Sequence, residues 1–110
     1  MISYDEFEKI DIRVGTIIEA SHNDKSLKPS IILIIDFGKK IGIKKSSAQL
    51  NDHYTPNELV GLQIAAVTNF HPKQIGKMIS EVLVLGFPDE ENNPVLVSPT
   101  KKIINGGKLF

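Results

Sequence analysis

The chain has no cysteine, no tryptophan, only 6% aromatic residues and no excess of charge of either sign. Without cysteine there can be no disulfide, thiolate metal site or thiol nucleophile. Lys and Arg number 13 and Asp and Glu number 13, so bulk charge does not suit the chain to coating nucleic acid. No apolar run approaches the roughly 20 residues of a membrane span, and the acidic start lacks the basic beginning of a secretory signal. What is present is 110 residues, 41% of them hydrophobic. That suits one domain, residues 1–110, able to bury about two-thirds of its unfolded surface without staples. The expectation is a soluble, cytoplasmic domain with no membrane insertion.

The neutral sum hides a gradient. Residues 1–24 carry a balance of −4, residues 25–80 one of +5, and residues 81–110 one of −1. A basic middle between acidic ends can be a binding face, a head-to-tail pairing of segments, or ordinary solvated surface.

The hydrophobic pattern is mostly that of strands. Ser3 and Glu6 have the spacing of a capping box, and Asp5, Glu6 and Glu8 suit the positive end of a short helix over residues 4–9, docked through Phe7. From Ile12 the period becomes two, with Ile12, Val14, Thr16, Ile18 and Ala20 on one face. Gly15 within this run predicts a bulge or a sharp coil. His22–Pro29 reads as a turn, and Ile31–Ile35 as a strand apolar on both faces, which requires cover on both. Asp36–Lys40 reads as a hairpin turn into a strand over Ile41–Lys45, and Thr55–Glu58 as the start of a helical turn. Further strands are expected at Leu62–Phe70, Val82–Phe87 and Val95–Val97, a loop with Gly76 as its flexible point at Pro72–Ser80, and a last extended piece at Ile103–Ile104. Short strands separated by turns point to an all-β barrel or sandwich. The doubly apolar runs Ile31–Ile35 and Val82–Leu85 exceed what a barrel this small hides, and a homodimer is the simplest cover.

Catalytic constellations are weak. His22, His53 and His71 lack the short spacing of a zinc site, and Asp52-His53 near Ser46 and Ser47 has no nucleophile elbow. Gly38-Lys39-Lys40 lacks the upstream glycine and the following Ser or Thr of a phosphate loop. The expectation is a non-enzyme with no metal and no cofactor. Binding features are better: Lys39, Lys40, Lys44 and Lys45 flank one strand, and Asn69-Phe70-His71-Pro72-Lys73 brings an amide, a ring and a cation together. Such a set can stack on a base or hold a peptide by its backbone and an apolar side chain; alternatively Phe70 is core and Lys73 merely solvated.

Five ordered blocks resemble the tRNA-binding domain family over nearly the whole chain, from about Tyr4 to Gly106. They are Phe7–Gly15, Ile34–Gly38, Ile41–Gln49, Asn69–Ile75 with Ser80–Gly86, and Asn105-Gly106. That family includes the C-terminal appendage of methionyl-tRNA synthetases and small free-standing homodimers. The resemblance implies an OB-fold five-stranded barrel with a short N-terminal helix and a C-terminal extension that build a dimer. Its tRNA-binding members carry a denser basic stretch after the Asn-aromatic-x-Pro element, a Ser-x-Gly-Met segment behind it, and a Lys-Leu pair opening the second strand. Here Gln74 follows Lys73, Glu81-Val82-Leu83 follows Ser80, and Lys28-Pro29-Ser30 stands at the second strand, as in an export-related chaperone branch. That branch implies an ATP-independent holdase for unfolded or precursor polypeptides, linked to the preprotein translocation ATPase; a tRNA-binding module acting in trans is the alternative. The resemblance places a groove at the Asn69–Lys73 element and the strand around Lys45. Phe70 and Pro72 would be its apolar anchors, Asn69 its main-chain partner, Lys45 and Lys73 its attracting charges, and Gln49, Ser80 and Glu81 its polar neighbours. Phe7, Ile103 and Ile104 would dock at the dimer interface.

Overall fold

A computed structural model describes residues 1–23 and 28–110; most of the turn expected at His22–Pro29 lies outside the described residues. The chain opens with helix α1 (Tyr4–Glu8), started by the expected capping box: Glu6 N donates to Ser3 Oγ, and Ser3 N to Glu6 Oε1. Strands β1 (Ile12–His22), β2 (Ile31–Asp36) and β3 (Ile43–Ala48) follow, the last two joined through the short helix α2 (Gly38–Ile41). Helix α3 (Pro56–Leu59), with its own capping box from Thr55 and Glu58, leads into β4 (Gln63–Val67). Next come β5 (Lys73–Ile75), β6 (Met78–Ser80), β7 (Leu83–Val84), β8 (Gly86–Pro88) and β9 (Pro94–Leu96).

Five of these strands form an antiparallel sheet in the order β3-β2-β1-β4-β7, curled into a nearly closed barrel of OB type. β1 makes the curl possible: its first half, Ile12–Thr16, pairs with β4, and its second half, from Thr16 onward, with β2. The bulge lies between Ile17 and Glu19, not at the expected Gly15. Gly15 serves a different need. A Cβ built there would stand 2.6 Å from Ile35 Cγ2 and 2.7 Å from Phe37 Cδ1, so the absent side chain is what lets two core residues cross the strand. The core comprises Ile17, Ile31, Leu33, Ile35, Phe37, Leu50, Leu59, Ile64, Ala66 and Val82.

Several sequence expectations shift. The connection after Asp36 is one helical turn, and it displaces the third strand to Ile43–Ala48. The segment expected as a loop at Pro72–Ser80 is the β5–β6 hairpin, turning at Gly76 with φ 63°. The expected strand Val82–Phe87 is split into β7 and β8. In β2, Ile31, Leu33 and Ile35 are fully buried while Ile32 and Ile34 are half-buried, so within one chain only the inner face is fully covered. In the second doubly apolar run, Val82 is buried and Leu83 is exposed.

The C-terminal residues are held along the half of β1 that β2 leaves free. Gly106 N donates to Val14 O, Val14 N to Gly107 O and Leu109 N to Ile12 O, with an isolated bridge between Arg13 and Lys108. Ile103 and Ile104 form no strand; the extended pairing comes later, around Lys108. Buried Gln63 clamps this segment: its Nε2 donates to Ile103 O at 2.6 Å and to Asn105 Oδ1 at 3.0 Å, and its Oε1 accepts from Ile103 N. Replacing it strands partly buried groups of residues 103–105. Gln63→Ala is expected to cost about 1–3 kcal/mol in urea unfolding and to speed amide exchange at Gly106 and Leu109.

Candidate binding groove

The groove begins at the end of β4, where the chain must leave the sheet. Asn69 fixes that exit: its Oδ1 accepts from Asp11 N at 3.0 Å and its Nδ2 donates to Lys9 O at 2.7 Å. Thr68 adds to the same junction, its N and Oγ1 donating to Asp11. Burial pushes the Asp11 carboxyl up, but hydrogen bonds from Thr68 and Arg13 and the charges of Arg13 and Lys108 outweigh it, holding the group below its ordinary value. With the exit pinned, Phe70 is thrown outward, 57% exposed, and Pro72 turns the chain into the β5–β6 hairpin.

The hairpin is fastened to β3 through hydroxyls. Buried Ser46 and Ser80 share a hydrogen bond of 3.0 Å, Ser46 Oγ also donates to Val82 O, and Ser47 N donates to Ser80 Oγ. Glu81 completes the join: its N donates to Lys45 O at 2.8 Å, and its Oε1 accepts from Lys45 N at 3.0 Å. Between β3, the hairpin, β7 and β9 lies a cavity of about 620 Å³. Its lining is dominated by apolar groups, among them Leu50, Phe70, Ile75, Val82, Leu83 and Leu96. The size and lining are those of a ligand site of ordinary dimensions.

Of the residues singled out in the sequence, Gln49, Phe70, Lys73, Ser80 and Glu81 line this cavity. Lys45 adjoins it through its main-chain bonds to Glu81. Pro72 lies between lining residues His71 and Lys73. Asn69 is not in the lining, and both ends of its amide are engaged on Lys9 and Asp11. Phe7 is half-buried against Tyr4 in α1, with ring centroids 6.4 Å apart, while Ile103 is 45% and Ile104 89% exposed. The sequence reading missed the far wall, made by Leu83–Gly86 with Pro94 and Leu96. Its signal was the doubly apolar run Val82–Leu85, whose outward residues face the groove.

That far wall is braced by polar contacts. Tyr54 Oη accepts from Leu96 N at 3.0 Å, and His53 Nε2 lies 2.6 Å from Asp89 Oδ2. Asp89 Oδ1 accepts from the backbone of Asn93 and Glu91, closing the β8–β9 turn. The backbone bond from Asn93, then the side-chain bond from His53, holds the Asp89 carboxyl below its ordinary 3.8. A depressed carboxyl stabilises the fold above its unfolded value and loses that contribution as pH falls through the lower folded one. Asp89→Ala is therefore expected to unfold more easily than the parent at neutral pH, the gap closing well below pH 3.8, as read by urea melts across a pH series. Among the described residues, no three His, Asp or Glu side chains cluster as a metal site needs, and no helix is long and apolar enough to cross a membrane.

The structure is thus an OB-type barrel with an apolar groove at its rim, between the β5–β6 hairpin and the far wall. The chain belongs to the family described as "Putative tRNA binding domain", matched over residues 12–108. Two solved structures named as chaperone CsaA are similar to it throughout. That from Bacillus anthracis is 42% identical with TM-score 0.94, covering 100% of this chain and 99% of that one. That from Picrophilus torridus is 46% identical with TM-score 0.92, covering 100% of both. The methionine–tRNA ligase of Methanococcus aeolicus is 36% identical over 109 residues, 99% of this chain and 16% of the ligase. The chain thus spans only about one-sixth of the length of the ligases it matches.

Proposed function

We propose that the chain is a non-catalytic, ATP-independent holdase that binds unfolded or precursor polypeptides in this groove. The observation that carries the reading is the groove's exposed apolar lining, with Phe70 57% and Leu83 49% exposed beside a cavity of about 620 Å³. A folded protein gains nothing by leaving such side chains in water, whereas an unfolded chain offers matching apolar groups. Binding the unfolded state withdraws it from aggregation by mass action, without a nucleotide cycle. Phe70, Gln49, Ser80 and Glu81 would touch the client, Lys73 and Lys45 would attract it, and Asn69 and Pro72 would set the position of Phe70. The similarity to structures named as CsaA chaperones supports the same reading. We place this activity in the cytoplasm, in step with protein export, with the preprotein translocation ATPase as a partner.

The holdase would act as a homodimer. Ile2, Tyr4, Ile104 and Phe110 are all exposed near the termini, and with Phe7 and Ile103 they supply the apolar surface such an interface needs. Light scattering during size exclusion tests it: twice the chain mass is expected, and a clean monomer excludes it.

A second reading, tRNA binding, is favoured by the family and by the ligase relatives. One pair of assays separates the two. Suppression of client aggregation without a tRNA gel shift supports the holdase; a gel shift with a steep salt dependence and no suppression supports the RNA module.

A further inference from the structure

The groove lies where the barrel fails to close. β3 and β7 are the two edge strands of the sheet, and each supplies one wall: Ser46–Leu50 on one side, Leu83–Leu85 on the other. At one end the edges are stitched together. Glu81 N reaches Lys45 O, but Lys45 N and Ser47 N are met by side chains, Glu81 Oε1 and Ser80 Oγ, in place of strand carbonyls. Past that point the stitching stops. Because Lys45 and Ser47 turn their main-chain groups to the seam, strand alternation also aims Ser47 C=O there, just before β3 ends at Ala48 and Leu50 N turns back to Ala48 O. On the opposite edge Leu85 N donates to Ala65 O in β4, so Val84, one residue earlier, directs its N–H and C=O away from β4. Among the described residues no hydrogen bond joins Val84 to β3.

Two open edges thus face one apolar cavity. We propose that the groove takes its client as an extended strand, whose main chain bonds to Val84 on one side and to Ser47 C=O on the other and fills the seam. This rests on the polypeptide reading above and specifies its substrate class: segments able to adopt an unbranched, extended backbone, with apolar side chains at alternate positions. Every second client side chain would point to the floor, where Leu50, Val82 and Leu96 lie. Past the stitching β3 runs only to Ala48 and β7 only to Val84, so the open seam takes a short strand. Recognition through the main chain would make binding tolerant of sequence, since every residue but proline presents the same donor and acceptor.

The test uses a short fluorescent peptide of alternating Leu and Gln and its singly N-methylated variants, titrated by anisotropy onto the full chain. Methylating one alternate set of amides is expected to weaken binding about tenfold each, and methylating the other set to leave it unchanged. Hydrogen exchange at Val84 is expected to slow in the complex, while Leu85, already bonded to Ala65, is unaffected. Binding with no alternation, and no new protection at Val84, overturns the strand mode while leaving a side-chain groove intact. Failure of the unmethylated peptide to bind overturns the polypeptide reading and the strand mode together.

Discussion

Gly15→Ala is expected to be among the most destabilising single substitutions in this chain, although it adds one methyl group to a strand. The new Cβ would lie 2.6–2.8 Å from Ile35 Cγ2 and the Phe37 ring, closer than carbon atoms approach. Both neighbours are fully buried core residues with no solvent side into which to retreat: Ile35 is 0% and Phe37 1% exposed. Relief therefore requires shifting a strand or turning an aromatic ring off its rotamer, at about 1–3 kcal/mol for a forced insertion into a packed core. At roughly 4–8 °C per kcal/mol, the upper end of that range lowers Tm by more than 10 °C. Phe37 carries the second consequence. Its carbonyl lies 2.6 Å from the Cβ position of Gly106, so a displaced Phe37 also disturbs the seat of the C-terminal segment. Thermal melts followed by far-UV dichroism check the first effect, and exchange at Leu109 checks the second. A variant melting within a few degrees of the parent would mean that the strand can yield, contrary to the packing described.

Phe70→Ala is expected to do the opposite: little to the fold and a great deal to binding. More than half exposed and outside the buried core, Phe70 contributes little to folding, and its removal should change stability by no more than about 0.5 kcal/mol. As the aromatic anchor of the groove it would bury its ring only against a client. Loss of an anchor of this kind costs about 2 kcal/mol or more, which is roughly 30-fold in affinity. Aggregation of a denatured client, followed by light scattering at a limiting concentration of the variant, should then proceed nearly as it does with no added protein. An unchanged melt is the control that separates this outcome from unfolding. Full suppression by Phe70→Ala would place the binding surface elsewhere.

How much of this was legible in the sequence depended on range. Signals that act over three or four residues were readable, as in the Ser3–Glu6 box and the Thr55–Glu58 turn, but the alternation expected in β1 does not survive its bulge: Ile17, not Ile18, enters the core beside Gly15. Gly15 was recognisable as special, but its reason was not, because Ile35 and Phe37 come to it across the sheet. The β5–β6 hairpin was missed because its strands are three residues each and mostly exposed, leaving no apolar alternation to read. Gln63 looked like any polar residue in a strand, and its partners lie 40 or more residues along the chain. The Asn69–Lys73 element was found as a cluster of useful groups. The division of labour within it, with Asn69 engaged at the α1–β1 junction and Phe70 left free, comes from where β1 begins beside the end of β4. The apolar excess in Val82–Leu85 is legible in the sequence, but that Leu83, Val84 and Leu85 line the groove follows only from the fold.

Leu83 and Ile18 offer the most direct test of the central claim. Both are large apolar residues of similar exposure, 49% and 40%, on opposite sides of the molecule's binding question: Leu83 in the groove, Ile18 on an apolar surface with Ile32, Ile34 and Val60 away from it. A photo-activated cross-linker placed at each position in turn, in the presence of a radiolabelled denatured client, reads which surface the client touches. Strong client cross-linking from position 83, competed by an apolar peptide, with only background from position 18, is the predicted result. Equal labelling from both, or labelling from position 18 alone, would mean that exposed apolar surface in general captures the client and would contradict a groove at the seam of the barrel.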